Sequence, residues 1–349
     1  MPLLEYKPAD KAYYEREIQD FLPERVIDAH AHVYSREHRD PSFVETLTDR
    51  SQNWPNLVAA DNPMEDLEET YRILFPGKQV TPVVFGMPTL RYFWKKSNEY
   101  LARESQKTGY PALMLTPPAL TAEELEEGLV QGGFRGAKVY LDYAPAYIPG
   151  KEIRIFDFAP HHQLEVLNAL GSVLMLHIPR PGRLKDPVNI EQMLEIDRRY
   201  PNIKLIIAHI GRAYAMEDLG GSLDILKDSH MWIDFSANTN QQVFEETLKK
   251  IGAERMLFGS DLPIVRMRVK RIVENGVYIN IVPKGSYGDI SGDPHMRETE
   301  GKEADSLSFF LYEIIVAMRR ACETVGASRA DVDAMFFGNA AALFGLTCS

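Results

Sequence analysis

The chain has 349 residues, enough for two average domains or one large α/β barrel, with 45% hydrophobic and 26% charged residues as in globular proteins with a sizeable core. Its 39 Lys and Arg against 50 Asp and Glu give a net charge of −11, a field that repels nucleic acid and anionic membrane surfaces, and no window approaches the apolar run of a membrane span. Two cysteines, Cys322 and Cys348, exclude a disulfide framework or a thiolate cluster, so any metal has to be held by histidine and carboxylate.

Residues 1–25 are charged, lack a signal-peptide core and read as an N-terminal helical extension of a cytoplasmic protein. From Val26 onward, short apolar or β-branched runs alternate with amphipathic stretches about eight times. The predicted strands are Val26 to His32, Val80 to Gly86, Ala112 to Leu115, Phe134 to Leu141, Val173 to Ile178, Ile203 to Ile210, Met231 to Phe235 and Met256 to Asp261. The predicted helices are Met64 to Leu74, Leu90 to Lys107, Ala122 to Val130, Pro160 to Leu170, Ile190 to Tyr200, Glu217 to Lys227, Gln241 to Ile251 and Leu307 to Val325. Thr121 stands where its hydroxyl can cap the helix that starts with Ala122, Glu123 and Glu124. Strand-helix alternation implies a parallel sheet, because parallel neighbours need crossover connections.

The expected fold is α/β, a (β/α)8 TIM barrel forming one domain over residues 1–349. A doubly wound open sheet is the alternative, but no strand is followed by its glycine-rich fingerprint. The glycine- and proline-rich residues 273–303 are expected to form a long loop after the eighth strand, hanging over the C-terminal face where barrel enzymes do their chemistry.

Polar residues close several of these strands. In the first, alternation puts Asp28, His30 and His32 on one face. His177 closes the fifth, His209 the sixth and Asp261 the eighth, while Lys138 lies inside the fourth, where an unpartnered charge is costly. Singly, each has a structural reading: a hydrogen-bonded core histidine, a helix cap, a paired lysine. Together, four histidines and an aspartate at strand ends point to a metal site.

The pieces IDAHAH, LHIP, AHIG, WIDFSA, FGSDLP and the terminal FFGNAAALFGL, in this order over almost the whole chain, resemble the amidohydrolase superfamily. The closer resemblance is to its amidohydrolase-2 branch, which includes aminocarboxymuconate-semialdehyde decarboxylase, γ-resorcylate decarboxylase and lactone hydrolases. The resemblance implies one divalent metal on His30, His32, His177 and Asp261, with His209 beside the bound water or substrate. Nitrogen and oxygen donors with open positions suit Zn2+, with Mn2+ or Fe2+ as alternatives. A carboxylated Lys138 would bring a second metal, as in binuclear members. Asp28 is either a further ligand or sits one layer lower, orienting a ligand histidine.

The leading expected reaction is hydrolysis by a metal-activated water, with Asp261 moving the proton and His209 stabilising negative charge developing on oxygen. The alternatives are a non-oxidative decarboxylase using the same site, a metal-independent lactonase, and an inactive barrel serving as a binding protein. Arg180, Arg183 and Lys185 follow His177, Arg212 follows His209, and Arg266, Arg268, Lys270 and Arg271 follow Asp261. This clustering of cations in an acidic chain predicts a small carboxylated substrate held by Arg180, Arg183, Arg212 or Arg266, with Asn238 as a further contact. Tyr92, Phe93 and Trp94 and the N-terminal extension are candidate homodimer surfaces. His38, His161, His162, His230 and His295 read as surface or loop residues.

Overall fold

A computed structural model of the chain describes residues 3–43 and 55–346. Cys348 and the first two residues of the extension lie outside them. The strands are β1 (Arg25–His32), β2 (Gln79–Phe85), β3 (Met114–Leu115), β4 (Gly136–Val139), β5 (Val173–Leu176), β6 (Lys204–Ile207), β7 (Trp232–Asp234) and β8 (Met256–Leu257). β1 pairs with β2, and β3 to β8 form a six-stranded sheet in chain order, every pairing parallel. Backbone hydrogen bonds also run from Leu113 N to Val84 O at 2.9 Å, Ala29 N to Phe258 O at 2.8 Å and Asp261 N to His30 O at 2.8 Å. The last two set the end of β1 against the segment that follows β8.

The strands are nearly continuous apolar runs because they are covered on both faces, as all four residues of β4 and of β5 are buried. Helices cover them with one apolar stripe each. The helix Met64–Leu74 buries Met64, Leu67, Thr70, Tyr71 and Leu74, the spacing of a single face. Thr121 caps its helix as expected: its Oγ1 accepts Glu124 N at 3.2 Å, and the Glu124 carboxylate accepts Thr121 N at 2.9 Å.

Three expectations shift. The second predicted helix starts at Trp94, not Leu90, because Phe93 N is tied to His38 O at 2.8 Å and Tyr92 bridges Arg39. The stretch from Glu217 to Lys227 breaks into a 3-10 turn, Met216–Asp218, and a helix, Ser222–Leu226, around Gly220 and Gly221 at φ +50° and +82°. Residues 273–303 are not a structureless loop. With the residues just before them they carry β9 (Lys270–Glu274), β10 (Val277–Pro283) and β11 (Met296–Thr299), in sheet order β11-β10-β9. The turn between β9 and β10 is Asn275-Gly276, both at positive φ, the geometry a tight hairpin demands.

This small sheet is fastened to the loops after β5 and β6 by alternating cations and rings. Arg183 lies 5.4 Å from the Tyr214 ring and 5.3 Å from Tyr278, and Arg271 lies 4.9 Å and 4.6 Å from the same two rings. At the other end, the helix Pro8–Glu17 sends Asp10 into a buried clasp with Arg268, at 2.9 and 2.6 Å, and with Ser308 Oγ at 3.0 Å. Among the described residues no helix is long and apolar enough to cross a membrane.

Candidate functional site

The C-terminal ends of β1, β5, β6 and β8 bring His30, His32, His177, His209 and Asp261 together. His32 Nε2 lies 3.2 Å and His30 Nε2 3.5 Å from Asp261 Oδ1. The His30 ring centroid is 4.7 Å from that of His209, which is 5.2 Å from that of His177. One ligand atom each from His30, His209 and Asp261 falls within 4.8 Å of the others. His209, expected beside the metal ligands, is thus in the tightest group, and His177 stands one ring further out.

Hydrogen bonds on the far side of two rings fix what faces this group. His30 Nδ1 meets Asp234 Oδ2 at 2.9 Å, and His32 Nδ1 meets the Gly86 carbonyl at 3.1 Å. Both partners only accept, so both Nδ1 atoms carry the proton. Burial, aided by the Lys138 charge, pushes His30 down to about 3 against the pull of Asp234, so that ring is neutral and its Nε2 is a bare lone pair. Burial, with the charges of His209 and Arg212, also holds His177 well below its usual value, and His177 Nδ1 is buried with no hydrogen-bond partner. The bare His30 Nε2, 3.5 Å from the Asp261 carboxylate, repels it unless a proton or a metal cation lies between them. Imidazole nitrogens converging on a carboxylate form the donor set that zinc, manganese or iron takes, so these residues fit a divalent metal.

Asp28 does not face this point. Its buried carboxylate accepts His30 N at 3.1 Å, Ser260 N at 2.7 Å and Tyr71 OH at 2.7 Å, and also the Ser260 hydroxyl. It ties β1 to the segment after β8, and it touches the His30 backbone, not its ring. Lys138 is 1% exposed, with Nζ 4.8 Å from the Phe85 ring centroid. Burial pushes it down to about 8 against the charges of Asp234 and Asp261.

The arginines separate. Arg180 Nε meets Asp186 at 3.1 Å, and Arg183 NH1 meets Asp218 at 2.6 Å, so each has a carboxylate of its own. Arg266 is buried against the Asn62 side chain and the Asp66 carbonyl, its Nε without a partner, and burial pushes it down to about 10. Among the described residues the Arg212 side chain has one hydrogen bond, to the Pro179 carbonyl at 3.3 Å, and no carboxylate partner. Its charge acts on His177, Tyr140 and Tyr214. Asn238 holds the Ala213 carbonyl at 2.7 Å and accepts Asn240 N at 2.9 Å, a loop brace.

Two residues not singled out from the sequence organise the rings: Asp234 at the end of β7, and Ser236. Asp234 Oδ1 accepts His209 N at 2.9 Å and Ser236 N at 3.1 Å, and also the Ser236 hydroxyl, while His209 Nδ1 lies 2.8 Å from Ser236 Oγ. The signal was present, because Asp234 closes an apolar run just as Asp261 does. His209, Ile210, Arg212, Ala237 and Asp261 all have positive φ between +51° and +70°. Each costs roughly 1–2 kcal/mol in a non-glycine residue, strain that gathers where side chains must be aimed.

The profile of the Amidohydrolase family matches residues 27–346. A search of curated proteins finds no match. Among solved structures, dihydroxybenzoic acid decarboxylase from Polaromonas sp. JS666, with bound manganese and the inhibitor 2-nitroresorcinol, is 18% identical with TM-score 0.55, over 94% of this chain and 98% of that one. The 5-carboxyvanillate decarboxylase of Sphingomonas paucimobilis is 12% identical with TM-score 0.58, over 93% and 100%. A probable 2-pyrone-4,6-dicarboxylic acid hydrolase from Acinetobacter baumannii with citric acid bound is 17% identical with TM-score 0.55, over 92% and 99%.

Proposed function

We propose that this chain, which belongs to the amidohydrolase family, is a metal-dependent (β/α)8 hydrolase acting on a small carboxylated substrate such as a lactone or amide. The barrel reading takes β1–β2 and the six-stranded sheet as one closed wall, joined by the bridges Val84–Ala112 and Ala31–Leu262. The observation that carries the metal reading is the convergence of His30, His209 and Asp261, one ligand atom of each within 4.8 Å of the others, with His30 and His32 Nε2 at 3.5 and 3.2 Å from Asp261 Oδ1. His30, His32, His177 and Asp261 would hold the ion, with zinc the best fit to three nitrogens and one oxygen.

A divalent cation there supplies Lewis acidity, which acidifies water and polarises a carbonyl. Asp261 accepts the proton that the attacking water loses and returns it to the leaving group. Hydrolysis leads because the Asp261 carboxylate, 3.5 and 3.2 Å from the His30 and His32 rings, is placed to take a proton from water. Arg212, with no carboxylate of its own, holds the substrate anion beside His177.

Elemental analysis of protein expressed with supplemented zinc, manganese or iron tests the metal: about one ion per chain is expected, and under about half refutes it. Ring opening of lactone dicarboxylates, assayed beside carbon dioxide release from hydroxybenzoates, tests the reaction. Carbon dioxide release alone would replace hydrolysis with decarboxylation.

A further inference from the structure

One carboxylate, Asp234, reaches two of the site's histidines by different routes. Its Oδ2 accepts the His30 ring proton at 2.9 Å. Its Oδ1 takes His209 N at 2.9 Å, which fixes the left-handed backbone of His209 at φ +56°. The same Oδ1 takes the Ser236 hydroxyl, and Ser236 Oγ lies 2.8 Å from His209 Nδ1. Asp234 and Ser236 are both fully buried.

A serine hydroxyl has one hydrogen to give. An ionised carboxylate only accepts, so that hydrogen goes to Asp234, and Ser236 Oγ can only accept from His209. The Ser236 carbonyl, 3.3 Å from the same Nδ1, is likewise an acceptor. The His209 proton therefore sits on Nδ1, and the Nε2 of the neutral ring is bare.

We propose that Asp234, directly and through Ser236, is the positioning residue that holds both His30 and His209 as Nδ1–H tautomers, making His209 an electron-pair donor at this site. This replaces the expectation that His209 stabilises negative charge on a substrate oxygen, since a bare Nε2 has no hydrogen to offer it. His209 instead serves as a further nitrogen toward a cation or as an acceptor of a proton. That chemical meaning rests on the metal reading above, whereas the tautomers do not.

Long-range 1H–15N NMR of the ring nitrogens in the full-length protein, as purified and after chelation, reads the tautomers directly. The wild-type protein should show His30 and His209 as Nδ1–H. Ser236→Ala should draw the two His209 nitrogen signals toward each other and leave those of His30 in place. Asp234→Asn should disturb both rings and weaken zinc binding about 100-fold. An Nε2–H His209 in the wild-type protein, or unchanged His209 signals in Ser236→Ala, overturns the inference. A protein that takes up no metal but shows both rings as Nδ1–H refutes the metal reading and leaves this one standing.

Discussion

Gly259→Ala should disable the site without touching any atom that does chemistry. A Cβ at Gly259 would lie 2.7 Å from His30 Cβ and 3.2 Å from Ser236 Cβ. Neither neighbour is the loose end of a side chain. His30 Cβ leaves the backbone of β1, and Ser236 is fully buried in the network around Asp234. Carbon atoms rest about 3.5 Å apart or more, so His30 or residue 259 must give by about 0.8 Å. Overpacking of this kind typically costs about 1–3 kcal/mol of stability, whereas an ångström of misplacement at a catalytic group costs about 100-fold in rate. The expected signature is a folded protein with a modest loss in denaturant midpoint, a roughly 100-fold lower kcat/KM and reduced metal content. Steady-state kinetics, elemental analysis and urea unfolding on the same preparation would read all three. Wild-type activity and metal content in Gly259→Ala would show that His30 need not be held to within an ångström, and the reasoning would fall.

The arginines should divide by role: Arg212→Met should raise KM for an anionic substrate about tenfold or more, while Arg183→Met should lower stability and leave KM alone, with substrate titrations and thermal melts separating the two. Asp10→Ala breaks a buried bidentate pair and should cost about 3–5 kcal/mol in urea unfolding, much of it recovered in the double variant with Arg268→Met; simple additivity of the two would refute the coupling. Asp28 is pushed up from its ordinary 3.8 to about 6 by burial, against hydrogen bonds from Ser260, Tyr71 and His30 N. The native state therefore holds that proton more tightly than the unfolded chain, and this contribution to stability declines by about 3 kcal/mol as pH rises from 4 through 6. Asp28→Asn should flatten that decline, and matching slopes for variant and wild type would count against it.

The strand ends were legible because doubly covered strands leave apolar runs, and a histidine or aspartate closing such a run has few ordinary explanations. Their convergence follows from the strand order alone, because parallel strands end on one side. The commitments of the arginines could not. Arg183 meets Asp218 across 35 positions, and His30 meets Asp234 across 204, pairings that only the folded chain creates. Counting glycines and prolines in residues 273–303 hid the more telling signal, Asn275-Gly276 flanked by Ile272, Val273, Val277 and Ile279, which is a hairpin pattern. The dual role of Asp234 was beyond reach because it depends on which oxygen meets which nitrogen.

The interleaving of Arg183, Tyr214, Arg271 and Tyr278 has a practical bearing on any effort to redesign this enzyme. The small sheet is tempting to delete as an ornament, yet Tyr278 on β10 is part of the wall behind Tyr214, which lies two residues beyond Arg212. Trimming the sheet would loosen the loop that presents Arg212, the cation proposed to hold the substrate. Its hairpin tip at Asn275-Gly276, flanked by the exposed Val273 and Val277, bears no part of that wall. That tip is the place to graft a tag or a reporter.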